Sequence, residues 1–166
     1  MTVEDLYVNS FNNAEHGWSV QGTTPYLQNS DGDFIYTVGS VNAKESAFLF
    51  PASAGSGTIA SVKIRVENKQ VIIDVGAGRG AYVYVWDGSA YQLLGYLYPT
   101  ESYVWKEFDA SAILNSWAKI NGAKLRFVSL VEDMLSKVYV RRGVRRVDYS
   151  VAAGAVLRRL LVGVGL

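Results

Sequence analysis

Hydrophobic and polar residues alternate with a period of two along much of this chain. The clearest run covers residues 61–67, where Val62, Ile64 and Val66 alternate with hydroxyl or charged side chains. Successive side chains of an extended strand point to opposite faces, so this pattern predicts one face on a core and one face in water. We therefore expect strands to build most of the fold.

The same pattern predicts a series of short strands, separated by turn residues. They are expected at residues 6–11, 17–21, 33–38, 45–50, 61–67, 70–75, 81–86, 91–98, 103–108, 123–131 and 137–149. Asp87-Gly88 predicts a tight hairpin turn, because glycine tolerates the positive φ of such turns. The alternation changes phase near Gly143, which predicts a bulge in the last strand.

One short helix is predicted over residues 109–117, with Asp109 as its N-cap and apolar residues at helical spacing. No strand–helix–strand alternation occurs. The sequence thus predicts an all-β fold, an antiparallel jelly-roll β-sandwich with one short helix and a C-terminal extension. Residues 1–150 form the sandwich in this interpretation, and residues 151–166 form an apolar arm that contains arginine.

Composition agrees with this picture. A chain of 166 residues has the length of one domain, and 49% hydrophobic with 19% charged residues is ordinary for a globular protein. Aromatic residues make up 13% of the chain, and aromatic side chains favour half-buried sheet surfaces.

Several kinds of chemistry are excluded by residue counts. The chain has no cysteine, which excludes disulfides, zinc–thiolate sites and thiol nucleophiles, and one histidine, His16, which excludes a multi-histidine metal site. Glu101, Glu107 and Asp109 are the acids that could form a glycosidase pair, but Glu107 and Asp109 share one strand face and are expected to project from a solvated surface. We therefore expect no enzyme activity and no organic cofactor.

An oxygen-rich turn could hold a hard cation. The sequence Asn29-Ser30-Asp31-Gly32-Asp33 places two carboxylates and an amide around a glycine, and Ca²⁺ prefers such ligands. The ligand run and distal glutamate of an EF-hand are missing. Two interpretations stand: a polar turn between strands, or a structural Ca²⁺ site with Asp31 and Asp33 as ligands.

Seven short motifs follow one another along the chain. They are Gly-Trp at 17–18, Thr-Pro-Tyr-Leu at 24–27, Asp-Gly-Asp-Phe-Ile-Tyr at 31–36, Val-Tyr-Val-Trp-Asp-Gly at 83–88, Trp-Lys-Glu-Phe-Asp at 105–109, Ile-Leu-Asn-Ser-Trp at 113–117 and Ala-Lys-Leu-Arg-Phe at 123–127. Over residues 5–150 this order resembles the galactose-binding-like jelly rolls. The resemblance implies a carbohydrate-binding module, or a sandwich that belongs to a phage or archaeal-virus virion or to a cell-surface protein, and it adds weight to a calcium site.

A row of aromatic residues gives a candidate ligand surface. Tyr82, Tyr84 and Trp86 alternate on one strand face, and Trp86 and Tyr91 flank the predicted hairpin turn. Trp86, Tyr91 and Tyr84 are the candidate glycan-binding residues, and packing within the sheet is the alternative interpretation. Trp18 and Trp117 are expected in the core.

Charge is distributed unevenly. Residues 141–166 carry six arginines and one acid, a net charge of +5, which leaves −4 on residues 1–140 of a chain whose total is +1. Clustered arginine binds carboxylate or phosphate, so an acidic neighbouring subunit or nucleic acid is the candidate partner. The alternative interpretation is that these arginines lie on a solvated strand face and bind no partner. The candidate partner-binding residues are Arg141, Arg142, Arg145, Arg146, Arg158 and Arg159.

The last sixteen residues are too apolar to extend freely into water. They pack on their own domain, pack on another subunit, or are removed by processing.

The main functional prediction is a virion-type structural subunit that self-associates or docks on other structural subunits through this arm. The alternative is a carbohydrate-binding or adhesin-like domain that recognises glycans through loop aromatics. No membrane span is expected, and without a signal peptide we expect synthesis in the cytoplasm and a place in a virion or extracellular assembly.

Overall fold

The chain forms two packed antiparallel β-sheets. The computed structural model describes residues 1–16, 18–21, 34–37, 44–71, 80–131 and 136–151, with the backbone alone at residues 11–16, 20–21 and 44–47. The strands are β1 (Thr2–Tyr7), β2 (Ser10–His16), β3 (Trp18–Gln21), β4 (Phe34–Thr37), β5 (Lys44–Leu49), β6 (Thr58–Val71), β7 (Ala81–Trp86), β8 (Tyr91–Leu97), β9 (Val104–Asp109), β10 (Lys124–Ser129) and β11 (Lys137–Ser150), and the helix is α1 (Trp117–Gly122).

Within the described residues, sheet A contains six strands and sheet B five. The order in sheet A is β3-β4-β11-β6-β9, with β1 also paired to β11, and the order in sheet B is β2-β5-β10-β7-β8. The long strand β11 pairs with β6 along one side, and with β4 and then β1 along the other. The predicted all-β sandwich is therefore confirmed.

The core lies between the two sheets. Alternating residues of β7 (Ala81, Val83, Val85) are completely buried, and so are the matching residues of β6, which include Val62 and Ile64. Burying such side chains supplies the main favourable term of folding. Trp18 is 5% exposed and packs on Phe127 with ring centroids 5.8 Å apart, which confirms its predicted place in the core.

Trp117 lies at the edge of this core. It is half-buried against the core residues, its indole N–H donates to the Gly57 carbonyl at 2.9 Å, and its ring meets Tyr149 edge-on at 5.2 Å. It thereby connects α1 to the start of β6 and to the end of β11.

The predicted helix is misplaced. Asp109 does accept a hydrogen bond from the Ser111 N–H at 2.9 Å, but the chain then makes one isolated turn in which Leu114 N–H donates to the Ala110 carbonyl. The helix begins later, at Trp117, with Ser116 as its N-cap. An aspartate that caps a turn gives the same local signal as one that caps a helix.

Three strand predictions also need correction. The strand expected at residues 6–11 is divided between β1, which ends at Tyr7, and β2, which begins at Ser10 in the other sheet. Residues 61–67 and 70–75 were expected as separate strands, but β6 is continuous from Thr58 to Val71. The change in the phase of alternation occurs in the partner strand β11, where the register with β6 shifts between Val140 and Arg142. The predicted bulge thus lies at Arg141, two residues before Gly143.

No helix within the described ranges is long and apolar enough to cross a membrane.

Candidate functional site

Three aromatic side chains form a row on the outer face of sheet B. Tyr82, Tyr84 and Trp86 are half-buried, whereas the alternate residues of β7 point into the core. Residues two apart on a strand are roughly 7 Å apart. The predicted ligand residues on this strand therefore share one outward face, as the alternation required.

The neighbouring strand β8 adds to this row. Tyr91 pairs directly with Trp86 across the hairpin, with ring centroids 5.2 Å apart and planes at 65°. The same register places Leu93, which is 52% exposed, opposite Tyr84, and a register shift beyond this pair places Tyr96 opposite Tyr82. The structure therefore brings together Trp86, Tyr91 and Tyr84, the three predicted ligand residues.

The hairpin turn that carries Trp86 and Tyr91 is tightly held. The Asp87 carboxylate accepts hydrogen bonds from the backbone N–H groups of Ala90 and Ser89 and from the Gln92 side chain, all at 2.8–3.0 Å. These bonds keep the pKa of Asp87 well below its usual range. The carboxylate therefore orders the turn at every ordinary pH.

Two cations from β10 lie on the same face. Arg126 pairs with Tyr84 and its guanidinium carbon lies 3.7 Å from the centroid of the Tyr91 ring. The Lys124 ammonium lies 5.7 Å from the Trp86 ring. Sequence reasoning missed both residues, although the alternation of Lys124-Leu125-Arg126-Phe127 carries the signal that places them outward.

The aromatic row continues towards the far end of the sheet. The Tyr82 ring meets Tyr84 at 6.4 Å and Tyr96 at 5.8 Å, both edge-on, and Tyr96 meets Tyr98 at 4.6 Å. We define the sheet B face as the residues Tyr82, Tyr84, Trp86, Tyr91, Leu93, Tyr96, Lys124 and Arg126. Edge-on contacts leave much of a ring's flat surface available for other contacts.

This face can bind a molecule with both flat apolar and polar surfaces. Within the described residues, no cation lies over the ring of Tyr82 or Tyr84. Phenol hydroxyls and the two cations supply hydrogen bonds beside the rings. A sugar ring has such a character, because it presents C–H groups on its faces and hydroxyls around its rim.

Two of the acids considered for catalysis have other partners. Glu107 accepts from Lys63 at 2.8 Å and lies 3.7 Å from Arg65, on the opposite sheet from the aromatic row. Asp109 is engaged with Ser111, which lowers the pKa of that carboxyl. Glu101 borders a separate cavity, and the His16 side chain lies outside the described residues.

The predicted metal ligands Asp31 and Asp33 also lie outside the described residues. Within the ranges that the structure describes, no cluster of three or more histidine, cysteine, aspartate or glutamate side chains is placed to hold a metal.

The arginines of β11 divide into two groups. Arg141 and Arg142 both form paired hydrogen bonds to the Glu67 carboxylate, and Arg146 does the same with Asp5. Arg145 is fully buried, so it is not part of any surface that a partner could contact. Arg158 and Arg159 lie outside the described residues, and partner binding by the exposed arginines stays a prediction.

Comparison with known proteins gives similarity at the level of structure alone. No protein-family model and no curated protein sequence matches the chain. A mutant family 29 carbohydrate-binding module in complex with mannohexaose is similar, with 12% identity, a TM-score of 0.47, and coverage of 87% of this chain and 91% of that chain. A second solved family 29 module has 10% identity and a TM-score of 0.45 over 88% and 90% of the two chains. The similarity concerns the β-sandwich alone.

Proposed function

We propose that this protein is a non-catalytic carbohydrate-binding domain that binds a glycan chain on the sheet B face. One observation carries the proposal: Tyr84 and Trp86, two half-buried rings on one rigid strand, lie side by side on an outward surface. Rings in this arrangement offer successive stacking positions to successive sugar units.

The polar groups on this face suit a glycan. Arg126 packs on Tyr91 and thereby places a positive charge close to the aromatic row. The cross-strand pairing of Trp86 with Tyr91 fixes both rings. Because these groups stand on strands and not on long loops, binding requires little ordering of the protein.

The competing prediction, a virion-type subunit that docks through residues 151–166, receives no support from the described residues. Of that arm the structure describes Val151 alone, and Arg141, Arg142 and Arg146 pair with Glu67 or Asp5 of the same chain. Docking through the arm stays a prediction, and the sheet B face favours the glycan-binding alternative.

Affinity gel electrophoresis against a panel of neutral polysaccharides, namely mannan, β-glucan, xylan and galactan, tests the proposal. We expect retardation of the wild type by at least one polymer, and a loss of about tenfold or more in affinity for Trp86→Ala and Tyr84→Ala. Trp105→Ala is the matched control, since Trp105 is also half-buried but lies on sheet A.

The control variant should bind as the wild type does. Absence of retardation by the whole panel overturns the proposal, and so does an equal loss in all three variants. Circular dichroism of each variant checks that the sandwich is intact.

A further inference from the structure

The outer face of sheet A carries a second, different group of rings and cations. Tyr36 and Tyr139 pair across β4 and β11 and stack with centroids 5.7 Å apart at 25°. Lys69 pairs with Tyr139 on the other side, and its ammonium lies 5.0 Å from the Tyr139 ring and 4.8 Å from the Tyr103 ring.

Two more cations complete this group. The Lys137 ammonium lies 4.9 Å from the Tyr36 ring, and the Arg141 guanidinium lies 4.2 Å from the Tyr103 ring. We call this group the tyrosine–cation patch and define it as Tyr36, Lys69, Tyr103, Lys137, Tyr139 and Arg141. All six are half-buried, so each presents part of its side chain to solvent.

The patch has an excess of positive charge. Of its cations, Arg141 shares the Glu67 carboxylate with Arg142. Within the described residues, no carboxylate lies within ion-pair distance of Lys69 or Lys137. Lys69, Lys137, Arg141 and Arg142 carry four positive charges. Among the described residues, Glu67 is the one acid that pairs with any of them, so the net charge of these five residues is +3.

The rest of the sheet A face is balanced by contrast. There Lys63 pairs with Glu107, and Arg146 pairs with Asp5. Among the described residues, the unbalanced charge therefore lies at the end of sheet A that carries the tyrosines, and an anionic ligand is favoured there.

The ring faces indicate which kind of anion fits. Single-stranded nucleic acid binds by stacking bases on open aromatic faces. In the patch those faces are covered by ammonium and guanidinium groups, or by a neighbouring ring. The ammonium, guanidinium and phenol groups of the patch lie beside the half-buried ring of Phe34 and are hydrogen-bond donors, which bind carboxylate or sulfate oxygens.

The patch is also broad. It crosses β4, β11 and β6 and reaches Tyr103 beside β9, a width of about 14 Å at the usual strand spacing. We propose that the patch binds an acidic polysaccharide, through the carboxylates or sulfate esters that recur along its chain. This site lies on the opposite sheet from the sheet B face and does not depend on it.

Isothermal titration at low and moderate salt tests the inference. The probes are polygalacturonate, which carries carboxylates, dextran sulfate, which carries sulfate esters, neutral dextran, and the oligonucleotide poly(dT). The test variant is Lys69→Gln/Lys137→Gln. The control is Lys63→Gln/Lys119→Gln, which removes the same charge from other parts of the surface.

We expect the wild type to bind polygalacturonate or dextran sulfate but not dextran, and the better of the two acidic probes identifies the anionic group. The test variant should bind about tenfold more weakly and the control within about twofold of the wild type. Trp86→Ala should bind the acidic probe unchanged, which separates this site from the sheet B face.

Four results would overturn the inference. They are no binding of either acidic probe, equal loss in the test and control variants, binding of poly(dT) as tight as that of the acidic glycan, and loss of acidic-glycan binding in Trp86→Ala.

Discussion

The guanidinium of Arg145 donates a hydrogen bond to the carbonyl oxygen of Pro51, at 2.8 Å, from inside the sandwich. A second hydrogen bond from the same group reaches the carbonyl of Ile120 at the end of α1, and the guanidinium lies 5.2 Å from the Phe50 ring. Burial lowers the pKa of Arg145 to about 10, although the charge of Glu4 acts to raise it. Arg145 thus ties β11 to the helix and to the loop after β5.

Replacing Arg145 with methionine should destabilise the fold by about 3 kcal/mol. The substitution leaves the Ile120 and Pro51 carbonyls without this donor and replaces a fully buried side chain by one of different shape. Urea unfolding followed by circular dichroism measures the loss.

The adjacent arginine is the control for this prediction. Arg146 forms its ion pair with Asp5 at the surface, so Arg146→Met should cost no more than about 1 kcal/mol. Equal costs for the two substitutions would contradict the structural role assigned to Arg145.

Glu67 should make stability depend on pH in the acid range. It is 4% exposed, and burial raises its pKa, but hydrogen bonds from Arg142 and Arg141 outweigh burial and lower the pKa from 4.5 to about 2. A carboxyl with a lowered pKa stabilises the fold above its unfolded pKa, and this stabilisation is lost as the pH falls from 4.5 towards 2. The corresponding free energy is about 3 kcal/mol.

Glu67→Gln should remove this part of the acid dependence. Urea unfolding at pH 7, 4.5, 3 and 2.5 compares the two proteins, and the free energies of unfolding should converge as the pH falls. A constant difference between wild type and variant over this range would show that Glu67 does not titrate with a lowered pKa.

Gln70→Leu should stabilise the fold by about 1–2 kcal/mol. Gln70 is 3% exposed, and neither its Nε2 nor its Oε1 has a hydrogen-bond partner in the described part of the chain. It borders a cavity of about 250 Å³ next to Pro99, Thr100 and Glu101. Leucine removes the cost of burying an unpaired amide.

Asn68→Leu is the opposite case. Asn68 is equally buried, but its side chain donates to the Tyr98 carbonyl at 3.5 Å, so the leucine variant should be less stable than the wild type. Thermal unfolding ranks the stability of the wild type, Gln70→Leu and Asn68→Leu. A Gln70→Leu variant that is less stable than the wild type would contradict this prediction.

Alternation along β7 was enough to place Tyr82, Tyr84 and Trp86 on the sheet B face. Tyr84 and Trp86 lie outward because Val83 and Val85 lie inward, and this follows from local pattern alone. The outward position of Arg126 follows in the same way, but its contact with Tyr91 depends on which strands are neighbours, which single-strand patterns do not specify.

The arginines of β11 show where local pattern fails. Arg141 and Arg142 both reach Glu67 because one extra residue bulges from the strand, so that two consecutive side chains face outward. The same shift in phase places Arg145 inside. A cluster that looks uniform in sequence therefore contains two ion-paired residues and one buried structural residue, and the distinction depends on the exact position of the bulge.

The indole N–H signals of the four tryptophans give the most direct test of glycan binding. They report on the core (Trp18), the edge of the sandwich (Trp117), the sheet A face (Trp105) and the sheet B face (Trp86). The probe is the neutral oligosaccharide of the polymer that retards the protein most, titrated into ¹⁵N-labelled protein and followed by ¹H–¹⁵N NMR. The account predicts a saturable shift of the Trp86 signal with Trp18, Trp105 and Trp117 unchanged, and a stationary Trp86 signal at saturation would contradict it.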